Sequence, residues 1–281
     1  MTSSPAESSP ETVAAAIERN PAEYWRAWCS YCPGAVFEEN KGFTRFITGA
    51  PFAPCNQVVL SDLAADETHA QVAEVLAPFR DRSLPMLWSV SPSVRPRDLG
   101  DVLQACGLAA NEPMAGMAID LNGLPDASAL PGLTVERVAG VDGLDMWGRL
   151  YHGGFGLPDG FADTFVATFK RAGVDGPFRH YVGLLQGEPV ACSTMFLGAG
   201  ACPERSRRVA GLWHITTLPH ARGRGIGGEM TLAPLRDARA AGYRLGTLYA
   251  APMGKSVYLR LGFREYHTLQ QYMWLGDGSH S

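Results

Sequence analysis

A mixed α/β (α+β) fold, with two sheets flanked by helices, is predicted by three features of the sequence. Helix-period and strand-period segments alternate along the chain, and a Gly-, Pro-, Asp- and Ser-containing stretch at 122–132 divides it. Late in the second half, a strand runs into a glycine-rich turn and then a helix, which implies a parallel strand pair joined by a crossover. The expected divisions are a disordered tail at 1–22, a first domain at 23–121, the linker, and a second domain at 133–281.

In the first half, 43–49 and 57–60 read as strands around a Pro-rich turn. Val72, Val75, Leu76 and Phe79 keep helical spacing, 86–90 is a short buried strand, 99–106 is a helix ended by Gly107, and 117–121 is a strand. The second half opens with a strand at 133–138 and helices at 146–151 and 161–171. Strands at 180–185 and 190–197 flank Gln186-Gly187-Glu188, a hairpin signal. A strand at 210–217 then meets the glycine turn, followed by a helix at 225–241 and a strand at 245–250. A short helix at 256–261 leads into strands at 263–274. Pro234 should kink the long helix, and its apolar residues fall on two sides, Ile226 and Met230 opposite Leu232 and Leu235. A helix covered on both sides would account for that split.

Composition bounds the function classes. The 281 residues are 46% hydrophobic and 19% charged, as in ordinary globular proteins, with a net charge of -4. That balance argues against nucleic acid or an anionic membrane as the main partner. Arg205, Arg207 and Arg208 form the densest basic cluster and read as a solvated hairpin tip. No segment approaches the ~20 continuous apolar residues of a membrane span, and the first residues lack the features of a secretory signal. Six cysteines without an export signal are expected to be reduced, in the cytoplasm. Cys29-Ser30-Tyr31-Cys32 has CxxC spacing but no second ligand pair, so a buried helical pair is expected there rather than a metal site. Arg95-Pro96-Arg97 is expected to mark the start of a helix.

The segment Arg222-Gly223-Arg224-Gly225-Ile226-Gly227-Gly228 carries the strongest chemical signal. A helix that starts through glycines leaves backbone N–H groups unpaired, and these attract phosphate oxygens together with the helix dipole. Arg222 and Arg224 add positive charge. Gly223, Gly225 and Gly228 also satisfy a dinucleotide fingerprint, but no Asp or Glu lies between Asp237 and Glu265 to hold a ribose. Gly254-Lys255-Ser256 imitates a P-loop, yet the leading glycine position holds Tyr249.

These residues resemble the GCN5-related N-acetyltransferases. The family's phosphate turn matches Arg222, Gly225 and Gly227 after Thr217-Leu218-Pro219, and its aromatic before a Leu-Gly-Phe matches Tyr258 before Leu261-Gly262-Phe263. The resemblance covers about 133–274 and implies an acetyltransferase-like sheet with a splayed parallel strand pair. It implies acetyl-coenzyme A as co-substrate, its pyrophosphate on amides from Arg222 through Gly223, Arg224, Gly225, Ile226 and Gly227 to Gly228. Its pantetheine arm would lie along Ile215, Thr216, Thr217 and Leu218, and Tyr258 would also contact the coenzyme. The implied reaction is direct attack by an amine of a small molecule or peptide on the acetyl thioester.

That chemistry needs a neutral amine, a stabilised oxyanion and a proton for the departing thiolate. The resemblance gives Tyr258 the last role, with ring packing on the coenzyme as the alternative. His214 and His152 are the candidates for the base, and the choice stays open. The first half echoes the second. Cys106-Gly107-Leu108 corresponds to Leu261-Gly262-Phe263, and ten residues separate Gly107 from Met117 as ten separate Gly262 from Tyr272. Leu103 then stands where Tyr258 stands, without a glycine turn upstream, so the first half reads as a degenerate acetyltransferase-like copy in a tandem protein. A catalytically silent, acyl-coenzyme A-binding regulatory module is the alternative to an enzyme.

Overall fold

The structure, a computed structural model, describes residues 9–125, 130–198 and 209–276. The Arg205, Arg207 and Arg208 cluster, residues 1–8 of the expected tail and 126–129 of the expected linker lie outside the described residues. The expected tail ends early, because residues Pro10–Cys29 form a helix, α1. Ser9 caps it by accepting from the Thr12 N–H at 3.3 Å, Pro10 opens it, and Val13, Ile17, Tyr24, Trp25 and Trp28 are buried along it. Composition had masked a capped amphipathic helix. Cys29 ends α1, while Cys32 lies in the following turn, so only one cysteine of the pair is helical.

The first half continues with β1 (Val36–Glu39), β2 (Phe43–Ile47), β3 (Asn56–Ser61), α2 (Thr68–Arg80), β4 (Met86–Val90), α3 (Leu99–Ala105), β5 (Ala109–Ala110) and β6 (Met114–Asp120). The second comprises β7 (Leu133–Arg137), α4 (Gly143–Phe155), α5 (Phe161–Ala172), β8 (Phe178–Leu185), β9 (Glu188–Leu197), β10 (Val209–Thr217), α6 (Ile226–Ala240), β11 (Leu245–Ala250), α7 (Pro252–Arg260) and β12 (Arg264–Trp274). Arg95-Pro96 precedes α3 by a few residues rather than opening it.

Two separate sheets were expected. One mixed sheet of 12 strands is found, in the order β1-β2-β3-β4-β12-β6-β11-β10-β9-β8-β7, with β5 on β12. The halves exchange their last strands. β6 of the first half lies between β11 and the start of β12, with Met117 opposite Leu248 and Glu265. The end of β12 lies between β4 and β5, with Tyr272 opposite Trp88 and Ala110. Glu265 follows Gly262 by three residues and Ala110 follows Gly107 by three. The ten-residue echo in the sequence is therefore a register that both halves share. It also carries strands across the expected boundary at 121.

Helix α6 crosses from β10 to β11 and packs on β8, β9 and β10. Pro234 lies inside it and cannot donate to the Met230 carbonyl one turn back. The buried Ser193 hydroxyl of β9 donates to that carbonyl at 3.0 Å, so the helix continues. No described helix is long and apolar enough to cross a membrane. Replacing Ser193 by Ala should leave the Met230 carbonyl unpaired and cost about 1–3 kcal/mol, measured as a lower urea midpoint with unchanged slope.

Candidate active site

β10 and β11 run parallel for three residue pairs, from Val209 opposite Leu245 to Gly211 opposite Thr247, and then separate. The separation coincides with a bulge. Between Trp213 and Thr216 the register of β10 against β9 gains one residue, and His214 absorbs it at φ +54°. Thr216 and Thr217 resume pairing with Cys192 and Ala191 on β9. The Leu218 N–H donates to Val190 O at 2.8 Å, so it is committed to the fold. Backbone groups alternate between the two edges of a strand, so those of Thr217 face the splay rather than β9. Of the four residues expected along the pantetheine arm, Ile215 and Thr217 thus face the splay, the Thr217 carbonyl already accepting from Arg222 Nε, whereas Thr216 and Leu218 serve β9.

Gly223 and Gly225 take φ of +75° and +81°, a region open to glycine at little cost. Gly225 is the N-cap of α6, and no side chain caps the helix. A Cβ at Gly223, Gly225 or Gly227 would meet no atom within 4 Å. Nothing in the packing therefore requires these glycines; open space surrounds the uncapped helix start. The turn is thus suited to an anionic ligand. Its two arginines differ. Arg222 donates from Nε to Thr217 O at 3.0 Å and from its guanidinium to Gly154 O at 2.6 Å, tying the turn to β10 and α4. Arg224 is exposed and makes no hydrogen bond or ion pair among the described residues. Arg222 is the clamp, and Arg224 is the free charge.

A cleft of about 640 Å³ runs from this turn through the splay and on beneath α1. Tyr258 of α7 lines it, its ring edge-on to Phe263, and burial pushes its hydroxyl up to about 12. His214 also contributes to the wall, but its ring is packed among Trp147, Tyr151, Phe165, Trp213 and Tyr24. Its Nδ1 is buried without a partner, and burial holds the ring down to about 3. His152, on the last turn of α4, is not among the lining residues. Of the two histidines read as base candidates, His214 shares the cleft with Tyr258 but is packed among aromatic rings, and His152 lies outside it. Glu18, Asn20 and Trp25 of α1, Gln57 of β3, Ser89 of β4 and Gln271 of β12 line the cleft and were missed. The Ser9 cap and the spacing of Val13 and Ile17 were the available signal. No described group of His, Cys, Asp and Glu is arranged to hold a metal.

No protein-family model matches the sequence, and no curated protein matches it. Solved structures do match. A GCN5-related N-acetyltransferase from Kribbella flavida is similar at 15% identity, with TM-score 0.68, over 92% of this chain and 96% of that one. A GCN5-related N-acetyltransferase from Sphaerobacter thermophilus is similar at 14% identity, with TM-score 0.61, over 96% and 93%. A tandem protein of the same family, from the clavulanic acid biosynthesis pathway, is similar at 14% identity, with TM-score 0.56, over 92% and 97%. The chain has the fold of the GCN5-related N-acetyltransferases, in an arrangement that extends over a tandem relative.

Burial of His214 has a measurable consequence. Unfolded, its ring titrates near 6.5; folded, near 3, so between these values the unfolded chain binds the extra proton. Stability should therefore be complete above about pH 6.5 and fall as pH drops below it, by up to about 1.4 kcal/mol per pH unit for each such histidine. His180, held down to about 3 by burial and by His214, contributes in the same direction. His214→Asn, which tolerates positive φ, should reduce the slope of urea stability between pH 7 and pH 5 by about half.

Proposed function

We propose that this protein is an N-acetyltransferase that moves an acetyl group from acetyl-coenzyme A to an amine of a small molecule or peptide by direct attack. The observation that carries this reading is the uncapped, unobstructed start of α6 at the mouth of the β10–β11 splay. The backbone amides from Gly223 to Gly228, with the Arg224 guanidinium, would hold the pyrophosphate. The exposed edge at the Ile215 backbone and the Thr217 N–H would pair with the pantetheine amides. The thioester supplies an activated acyl group; the chain's own groups orient it and manage protons.

Tyr258 is the proton donor to the departing sulfur. With its hydroxyl at about 12, transfer to an unperturbed thiolate is uphill by about 5 kcal/mol. That is well inside the barrier of about 16 kcal/mol for ten turnovers per second. The first half would be silent toward the coenzyme. Its counterpart of β10-α6-β11 is β3-α2-β4, and the connection after β3 carries Asp62, Asp66 and Glu67 with no glycine. Those carboxylates repel phosphate where the second half has arginine. The buried Leu103 stands in for Tyr258. The described cysteines are free thiols, consistent with a reducing cytoplasm.

Calorimetric titration with acetyl-coenzyme A tests the donor assignment, with NADH as control. Micromolar binding is expected, abolished in Gly227→Leu, whose Cβ meets no protein atom within 4 Å and whose side chain would occupy the cradle. Tyr258→Phe should retain that affinity while turnover falls about 10²-fold. Binding without turnover in the unaltered protein would make it a silent module instead, and unchanged turnover in Tyr258→Phe would remove the proton-donor role.

A further inference from the structure

Beneath α1 the cleft passes from the second half into the first, along one face of the exchanged strands. Residues opposite one another on neighbouring strands share a sheet face. Gln271 lies opposite Ser89, Leu269 opposite Met114, and Tyr249 opposite Gly116. Their shared face carries a polar strip bordered by apolar groups, and Val59, Trp25 and Ile17 add to the apolar lining.

Over that face stands Glu18. It is only 8% exposed, yet it lines the cleft and makes no hydrogen bond or ion pair with any described residue. Asn20, two residues further along α1 and 5% exposed, has a buried Nδ2 without a partner. Among the described residues that line the cleft, the only other ionised side chain, Arg222, is committed to two carbonyls at the phosphate end. Glu18 acts electrostatically on Tyr249 and His267, which are joined Oη to Nε2 at 3.0 Å. Both feel the negative charge of Glu18, but burial keeps Tyr249 protonated and lowers His267, so neither supplies a counter-ion. The Glu18 carboxylate thus faces the cleft with neither a cation nor a hydrogen-bond donor from the described residues. An arrangement of this kind is stabilised by a ligand that brings the positive charge with it.

We propose that the space beneath α1 is the acceptor subsite, that it takes the protonated primary amine of a substrate with an apolar body, and that Glu18 is its counter-ion and proton acceptor. This rests on the donor reading above and makes the first half an essential wall of the site. In the reaction, Glu18 takes one proton from the ammonium, freeing the nitrogen lone pair. The nitrogen forms a bond to the acyl carbon and the carbon–sulfur bond breaks, its electron pair leaving on sulfur. Tyr258 gives the sulfur a proton and regains one from the acylated nitrogen, while the proton on Glu18 passes to solvent. The ammonium thus loses two protons, one to the thiol and one to solvent. The apolar walls fix the body of the substrate, and the amides of Asn20, Gln57 and Gln271 orient it.

The test uses the full chain with acetyl-coenzyme A and three probe amines, 2-phenylethylamine, tryptamine and octylamine, with thiol release as readout. The unaltered protein should acetylate at least one of them, and the matching alcohol should not compete. Glu18→Gln should lower kcat/KM for that amine at least ~100-fold, with acetyl-coenzyme A affinity, which also reports folding, within twofold. Glu18→Asp should recover much of the loss, an outcome that a merely structural role would not give. If Glu18→Gln keeps kcat/KM within threefold, or loses coenzyme affinity in parallel, the role of Glu18 is overturned. If the protein binds acetyl-coenzyme A but accepts none of the amines, the acceptor class is wrong while the donor reading stands. Failure to bind acetyl-coenzyme A removes both.

Discussion

One extra residue in β10 organises the candidate site. A parallel pair joined by α6 would otherwise close into continuous sheet, with no free edge and no cleft. The bulge at His214 turns β10 away from β11 after three paired residues, leaving backbone at Ile215 and Thr217 without a strand partner. The residue that bears the positive φ is held by burial among aromatic rings, so the strained backbone is fixed by packing rather than by a local hydrogen bond. A histidine that looks chemical in the sequence thus works as a wedge.

Two long-range ties keep the opening in register with the glycine turn. Arg222 spans Thr217 O on β10 and Gly154 O on α4, so the start of α6 cannot drift from the end of the strand. Gly154 must be glycine for a related reason, because a Cβ there would overlap the side chain of Thr216. From the opposite side, Ser193 occupies the carbonyl that Pro234 leaves free, and α6 stays regular across β8, β9 and β10. The positive turn and the open strand edge are therefore one rigid unit.

The strand exchange explains why the first half matters although its own turn is acidic. With β6 between β11 and β12, and the end of β12 between β4 and β5, the sheet face beside the splay runs on without a seam into β4 and β3. Helix α1 covers that face with Ile17 and Glu18 and anchors itself through Tyr24, Trp25 and Trp28 between Phe46 of β2 and the aromatic rings of the second half. Neither half alone encloses the space beneath α1.

Local chemistry was legible in the sequence. The strands from β2 to β4 and from β6 to β12, the helices from α2 to α7 and the glycine turn follow from periodicity, breakers and spacing, because each depends on residues close in the chain; the two-residue β5 carries no such pattern, and Tyr258 stands out only through the family resemblance. The ten-residue echo was legible too, since both halves count from a helix-ending glycine to a strand position. What the sequence left undecided involves contacts between distant segments. Whether Arg222 meets a ligand or two carbonyls depends on Gly154, and whether His214 is a base depends on six rings from three helices and a strand. Burial sets the protonation of Tyr258 and His214, and no local pattern encodes burial of that depth. The N-terminal segment was misread for the same reason: its composition is that of a tail, and only the exchanged sheet supplies the surface on which α1 folds.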